Sequence, residues 1–156
     1  MWGMQSRFVL GVFLALAVGA PENSPLVGIW QLNLSRSDFG SNPPAYRRST
    51  CKIEALEDGL KVTYDMVGNR GGVSHLEWSG KLDGKDYAVQ GMDEVITNAY
   101  TKIDDRTYEI VVKVDGVRAA TARTVVAPDG KSLTTTTTSR NAQGQAVMTS
   151  VVYERK

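Results

Sequence analysis

Apolar and polar residues alternate with period two along much of this chain. In "LKVTYDM", Leu60, Val62, Tyr64 and Met66 fall on one face and Lys61, Thr63 and Asp65 on the other. "HLEWSGKL" places Leu76, Trp78 and Leu82 opposite His75, Glu77 and Lys81. "TYEIVVKV" groups Tyr108, Ile110, Val112 and Val114 against Thr107, Glu109 and Lys113. Such alternation marks antiparallel strands with one face buried. Between the runs stand Asp58-Gly59, Gly71-Gly72, Asp83-Gly84, Asp115-Gly116, Asp129-Gly130 and Gln143-Gly144. Asp-Gly between β-rich runs signals a hairpin, because both central residues of a tight type I′ turn need positive φ.

The pattern predicts about ten strands, at 27–34, 47–56, 60–67, 73–82, 86–90, 95–103, 106–114, 117–127, 132–140 and 146–154. No window carries a helical stripe. Short strands joined by hairpins form a meander, and closing it removes the exposed sheet edges. The expected fold is therefore all-β: a single antiparallel up-and-down β-barrel of about 8–10 strands, covering 21–156. A two-sheet sandwich is the alternative. Residues 35–46, "SRSDFGSNPPAY", read as a loop that can act as a lid at a barrel mouth.

Residues 1–20 are set apart from the fold. Arg7 precedes the apolar run "FVLGVFLALAVG", and Ala15, Ala17, Gly19 and Ala20 offer small residues for cleavage. This reads as a signal peptide cut near Ala17 to Ala20. The run is short of the ~20 residues that a spanning helix needs, so a retained anchor is the weaker reading. The expected location is secreted or periplasmic, without integral membrane association after cleavage. Of the 18 Lys and Arg, only Arg7 lies in this segment, and none of the 17 Asp and Glu do, which leaves residues 21–156 neutral. No basic stripe stands out to recruit nucleic acid or an anionic membrane. The single cysteine, Cys51, excludes an intramolecular disulfide, so the core must hold the fold.

Gly28-x-Trp30 on the first strand, with about ten hairpin-linked strands behind it, resembles the calycin superfamily. Lipocalins and intracellular fatty-acid-binding proteins are its nearest shapes. More narrowly, "GIWQLNLSRSDF", "LDGKDY", "KIDDRTYEI", "APDGKSLT" and "VVYERK" are similar to segments of small exported bacterial lipocalin-like proteins. The resemblance implies that Trp30 packs at the closed end of a barrel, with Gly28 admitting a neighbouring chain, and that Arg155 or Arg123 covers the Trp30 ring. The sequence also departs from these families. It has no helix after the barrel and no helix-turn-helix lid after the first strand. Tyr153 matches the tyrosine of the fatty-acid-binding Arg-x-Tyr, but Val151 stands where that family places its carboxylate-holding arginine.

The candidate ligand-binding residues are the inward-facing Tyr64, Met66, Trp78, Tyr100, Tyr108 and Tyr153, together with Arg123. A buried tyrosine hydroxyl needs a partner, which a ligand can supply. Arg118 and Arg123 differ in parity, so only one of them can point inward; an inward Arg123 would grip an anionic head group, and a solvated strand face is the alternative. "LTTTTTS" reads as a two-faced Thr strand whose hydroxyls at 135 and 137 can line a polar pocket. Asn33-Leu34-Ser35 is a glycosylation sequon, with meaning only in a eukaryotic secretory pathway.

An enzyme is not expected. Parity puts His75 on the polar face and Cys51 inside, so the obvious nucleophile–base pair is split. No catalytic residue, metal ligand set or cofactor motif is assigned. The leading expectation is an exported protein holding a small apolar or amphipathic molecule, a lipid among the candidates, inside its barrel. The alternatives are a cavity-free barrel serving as an extracellular or cell-envelope interaction module, and an enzyme that uses the barrel mouth. Interior volume separates the first two, because a cavity below ~300 Å³ is too small for an ordinary ligand site and would count against the container. The sequence is silent on oligomeric state.

Overall fold

A computed structural model describes residues 24–156. The signal peptide read at 1–20 lies outside the described residues. Ten strands follow one another: β1 (Gly28–Asp38), β2 (Tyr46–Ala55), β3 (Gly59–Gly68), β4 (Val73–Lys81), β5 (Tyr87–Gln90), β6 (Ile96–Asp104), β7 (Thr107–Val114), β8 (Val117–Val126), β9 (Ser132–Arg140) and β10 (Ala146–Arg155). Each pairs antiparallel with its sequence neighbour, and β1 also pairs with β10, which closes the barrel. The sandwich alternative is excluded. Every strand end lies within one residue of its predicted place except the C-terminal end of β1.

That strand runs on to Asp38 through an irregularity between Asn33 and Asp38. The Ser37 hydroxyl bridges it, accepting from the Val152 amide at 2.9 Å and donating to the Asn33 carbonyl at 2.7 Å. A side chain takes over a ladder bond that the bulged backbone cannot make. The loop expected at 35–46 shrinks accordingly to 39–45.

The turns divide by their glycines. Asp115 (φ 50°) and Gly116 (φ 78°) both take positive φ, as the two-residue type I′ hairpin requires. At the other dipeptides no second residue joins the glycine at positive φ, and Gly59 lies in extended β3 against the Gly80 carbonyl.

One end of the barrel is sealed. Ser24–Val27 turns across it, the Val27 amide donating to the Ser24 carbonyl at 3.0 Å, and Leu26 is buried beneath. Trp30 is fully buried there, its indole N–H donating to the Leu26 carbonyl at 3.0 Å. The Arg155 guanidinium caps the ring at 4.2 Å from its centroid and donates to the carbonyls of Gly130, Val27 and Pro25. This settles the choice between Arg155 and Arg123 in favour of Arg155. Gly28 is required beside it, since a Cβ would collide with the guanidinium that those carbonyls hold in place. Leu60, Tyr108, Val126 and Leu133 complete the dry floor.

Candidate functional site

Above the floor, the interior holds a second aromatic group that is packed rather than open. Trp78 lies 4.2 Å from Tyr100, ring centre to ring centre, and edge-on to Tyr87 at 6.1 Å. Its indole N–H reaches the carbonyls of Tyr87 and Asn98 at 3.1 and 3.2 Å. Gly80 makes room for this group, because a Cβ there would come within 2.7 Å of both the Trp78 and Tyr87 rings. Tyr108 is shut into the floor, its hydroxyl 3.3 Å from the Ser24 hydroxyl. Three of the sequence-predicted residues, Trp78, Tyr100 and Tyr108, therefore serve the packed core.

The remaining aromatics bound a cavity of about 280 Å³. Its wall is Leu32, Phe39, Tyr46, Ser49, Tyr64, Met66, Leu76, Val151 and Tyr153, contributed by β1, β2, β3, β4, β10 and the start of the 39–45 loop. Tyr64, Met66 and Tyr153 of the predicted set meet here. Parity could have supplied Leu32, Ser49, Leu76 and Val151 as well, since each alternates with a buried neighbour. Phe39 could not be read, because it reaches the site only through the extended, bulged β1. A larger concavity of about 740 Å³ lies around Ser24, Lys102, Asp104 and Arg106. It is a charged groove beside the sealed end.

The chemistry of the cavity is neutral and mostly apolar. The Ser49 and Tyr153 hydroxyls share a hydrogen bond of 3.0 Å in its wall. Tyr64 and Tyr153 meet edge to face at 6.3 Å. Burial pushes Tyr153 up to about 12, against its hydrogen bond with Ser49. The Cys51 thiol, buried behind Tyr64, is likewise pushed up to about 12 by loss of solvent. Tyr64 is raised well above its ordinary value, first by the neighbouring Cys51 and then by burial. Removal from water disfavours each anion, so these groups stay protonated at neutral pH.

Arg123 requires a correction, because it points outward and pairs with Glu109 across β7 and β8. Ala122, Thr124 and Val126 take the inner positions instead. Parity allowed at most one of Arg118 and Arg123 to face in; neither does, and a bulge lies between them. Val112 pairs with Ala120 while the next residue, Lys113, pairs with Arg118, so the extra residue on β8 shifts the alternation. Both arginines end up exposed. Thr135 faces inward as read, its hydroxyl 2.8 Å from that of Thr124.

His75 and Cys51 lie on opposite sides of the sheet. His75 is exposed, with Nδ1 2.6 Å from Asp65 and Nε2 3.9 Å from Glu77, while Cys51 is buried inside. Among the described residues, no three His, Cys, Asp or Glu side chains are arranged to hold a metal ion. The chain matches no protein-family model and no curated protein sequence.

Proposed function

We propose that this chain is an exported, calycin-like container that holds one small apolar or amphipathic molecule in its barrel, and that it acts by binding rather than catalysis. The observation that carries this reading is the 280 Å³ cavity between the Trp30 floor and the loops, lined mainly by apolar and aromatic side chains with a Ser49–Tyr153 hydroxyl pair in its wall. The Gly28-x-Trp30 strand and the Arg155 cap support the calycin likeness, and the leader-like residues 1–20 support export.

Cavity volume limits the occupant. At about 280 Å³ the cavity falls just below the ~300 Å³ where ordinary ligand sites begin, which counts against a drug-sized or long-chain lipid occupant and narrows the reading to a smaller molecule. Benzene and xenon enter apolar protein cavities of about 150 Å³, so the space is ample for a ring-sized molecule. Burial of that molecule's apolar surface supplies the affinity, at roughly 25 cal/mol per Å².

Native mass spectrometry of the protein isolated from its own host tests the reading. The expected spectrum shows a stoichiometric small-molecule adduct that disappears on unfolding. A uniformly empty protein, which also takes up no small aromatic probe, would contradict it. The interaction-module reading rests on a different observation, the exposed Val73, Val95 and Val117 beside the loops at the cavity end.

A further inference from the structure

The cavity wall is uneven in what it offers a ligand. It contains no Lys, Arg, His, Asp or Glu, and four of its side chains are aromatic rings: Phe39, Tyr46, Tyr64 and Tyr153. The arginines singled out in the sequence are committed elsewhere. Arg123 is engaged by Glu109 on the outer face, and Arg155 by backbone carbonyls beneath the floor. At the position where a fatty-acid-binding barrel would present an arginine, Val151 contributes an aliphatic surface.

The wall carries the hydroxyls of Tyr46, Ser49, Tyr64 and Tyr153, and those of Ser49 and Tyr153 are hydrogen-bonded to each other. Ser49 and Tyr153 each carry one hydroxyl proton, and their mutual bond uses one of the two. The pair therefore keeps one proton to donate, and the oxygens keep lone pairs to accept. An uncharged ligand oxygen placed there can both receive and give a hydrogen bond. A carboxylate would be stripped of water with no cation to face it, the costly case for a buried charge.

We propose that the cavity selects uncharged, ring-bearing molecules with a single hydroxyl or carbonyl oxygen, met by Ser49 and Tyr153, and rejects the corresponding carboxylates. This rests on the container reading given above and specifies its ligand class. The protonated state of the buried thiol and phenols agrees with it, since a site that suppresses its own anions also disfavours a bound one.

Isothermal titration at pH 7 with four probes of one shape tests the inference: naphthalene, 2-naphthol, 2-naphthamide and 2-naphthoate. The expected order is 2-naphthol binding roughly 5–10-fold more tightly than naphthalene, the gain of one net hydrogen bond. 2-Naphthamide binds measurably, whereas 2-naphthoate, its charged near-isostere, binds at least ~100-fold more weakly than 2-naphthol. In Ser49→Ala/Tyr153→Phe the ratio of naphthol to naphthalene affinity falls to within about 2-fold. Tyr153→Phe alone, which keeps the ring, serves if the double variant does not fold.

Tight binding of 2-naphthoate would overturn charge rejection while leaving the container intact. Equal affinity for naphthol and naphthalene in the wild type would overturn the role of the hydroxyl pair. Failure of all four probes to saturate would overturn the container reading, and this inference with it.

Discussion

The two ends of the barrel are built from similar residues and do opposite things with them. At the sealed end, Trp30 and Tyr108 are wholly buried, and each hydrogen-bonds into the 24–27 turn. At the loop end, Tyr46, Tyr64 and Tyr153 line open space, and two of the three are only half-buried. The difference lies in what fills the middle. The sealed end has Leu26, Leu60, Val126 and Leu133 interleaved between its rings, giving the close packing typical of protein interiors. At the loop end a cavity remains. A barrel of this strand number can be solid or hollow, and this one is solid at one end and hollow at the other.

Substitutions should therefore act differently at the two ends. Trp30→Ala removes a fully packed ring, and the expected loss is about 3–5 kcal/mol in urea unfolding. Against a typical total of ~5–15 kcal/mol, that loss is a large fraction of stability. Leu76→Ala at the cavity wall should cost only about 1–2 kcal/mol, because Leu76 is half-buried and already borders a void. It should also admit a ligand bulkier than any the wild type accepts. Equal losses at the two positions would mean that the loop end is as solid as the floor.

Alkaline titration probes the interior as a whole. The folded thiol of Cys51 and phenol of Tyr153 both titrate near 12, above their ordinary 9.0 and 10.0. The unfolded chain thus gives up these protons first, and stability falls as pH climbs from about 9 towards 12. The expected loss at pH 10 is roughly 1–2 kcal/mol by chemical denaturation. Cys51 should correspondingly resist iodoacetamide in the folded protein at pH 8 and react readily in urea. Rapid labelling of folded protein would show that water reaches the thiol through the cavity.

The smallest expected effect lies on the outside. His75 is raised above 6.5, chiefly by its hydrogen bond to Asp65. Its contribution to stability is complete below its unfolded value and is lost as pH rises through the folded one. His75→Asn should flatten that slight dependence above pH 6.5 and leave ligand affinity untouched. A change in affinity would connect the outer face to the cavity.

Much of this architecture was legible before any coordinates. Period-two alternation and turn glycines placed ten strands, because a half-buried strand cannot hide which face it buries. Alternation also put Cys51 and Tyr64 inside and His75 outside. It failed at two kinds of position. Bulges break the count, as the extra residue between Arg118 and Ala120 shows, and as the irregular end of β1 that delivers Phe39 shows. Parity also says nothing of height along the axis. Tyr108 and Tyr153 look equivalent as inward tyrosines, yet one lies in the floor and the other lines the cavity. That distinction depends on strand tilt and on which small residue sits across the barrel, neither of which is a local property of the sequence.

Amide NMR during titration with 2-naphthol shows whether the loop end holds a ligand. Saturable shifts are expected at Leu32, Ser49, Tyr64, Leu76 and Val151, with the Trp30 floor and the Arg123 face unmoved. Shifts confined to the groove around Lys102 and Arg106, or none that saturate, would contradict a ligand at the loop end.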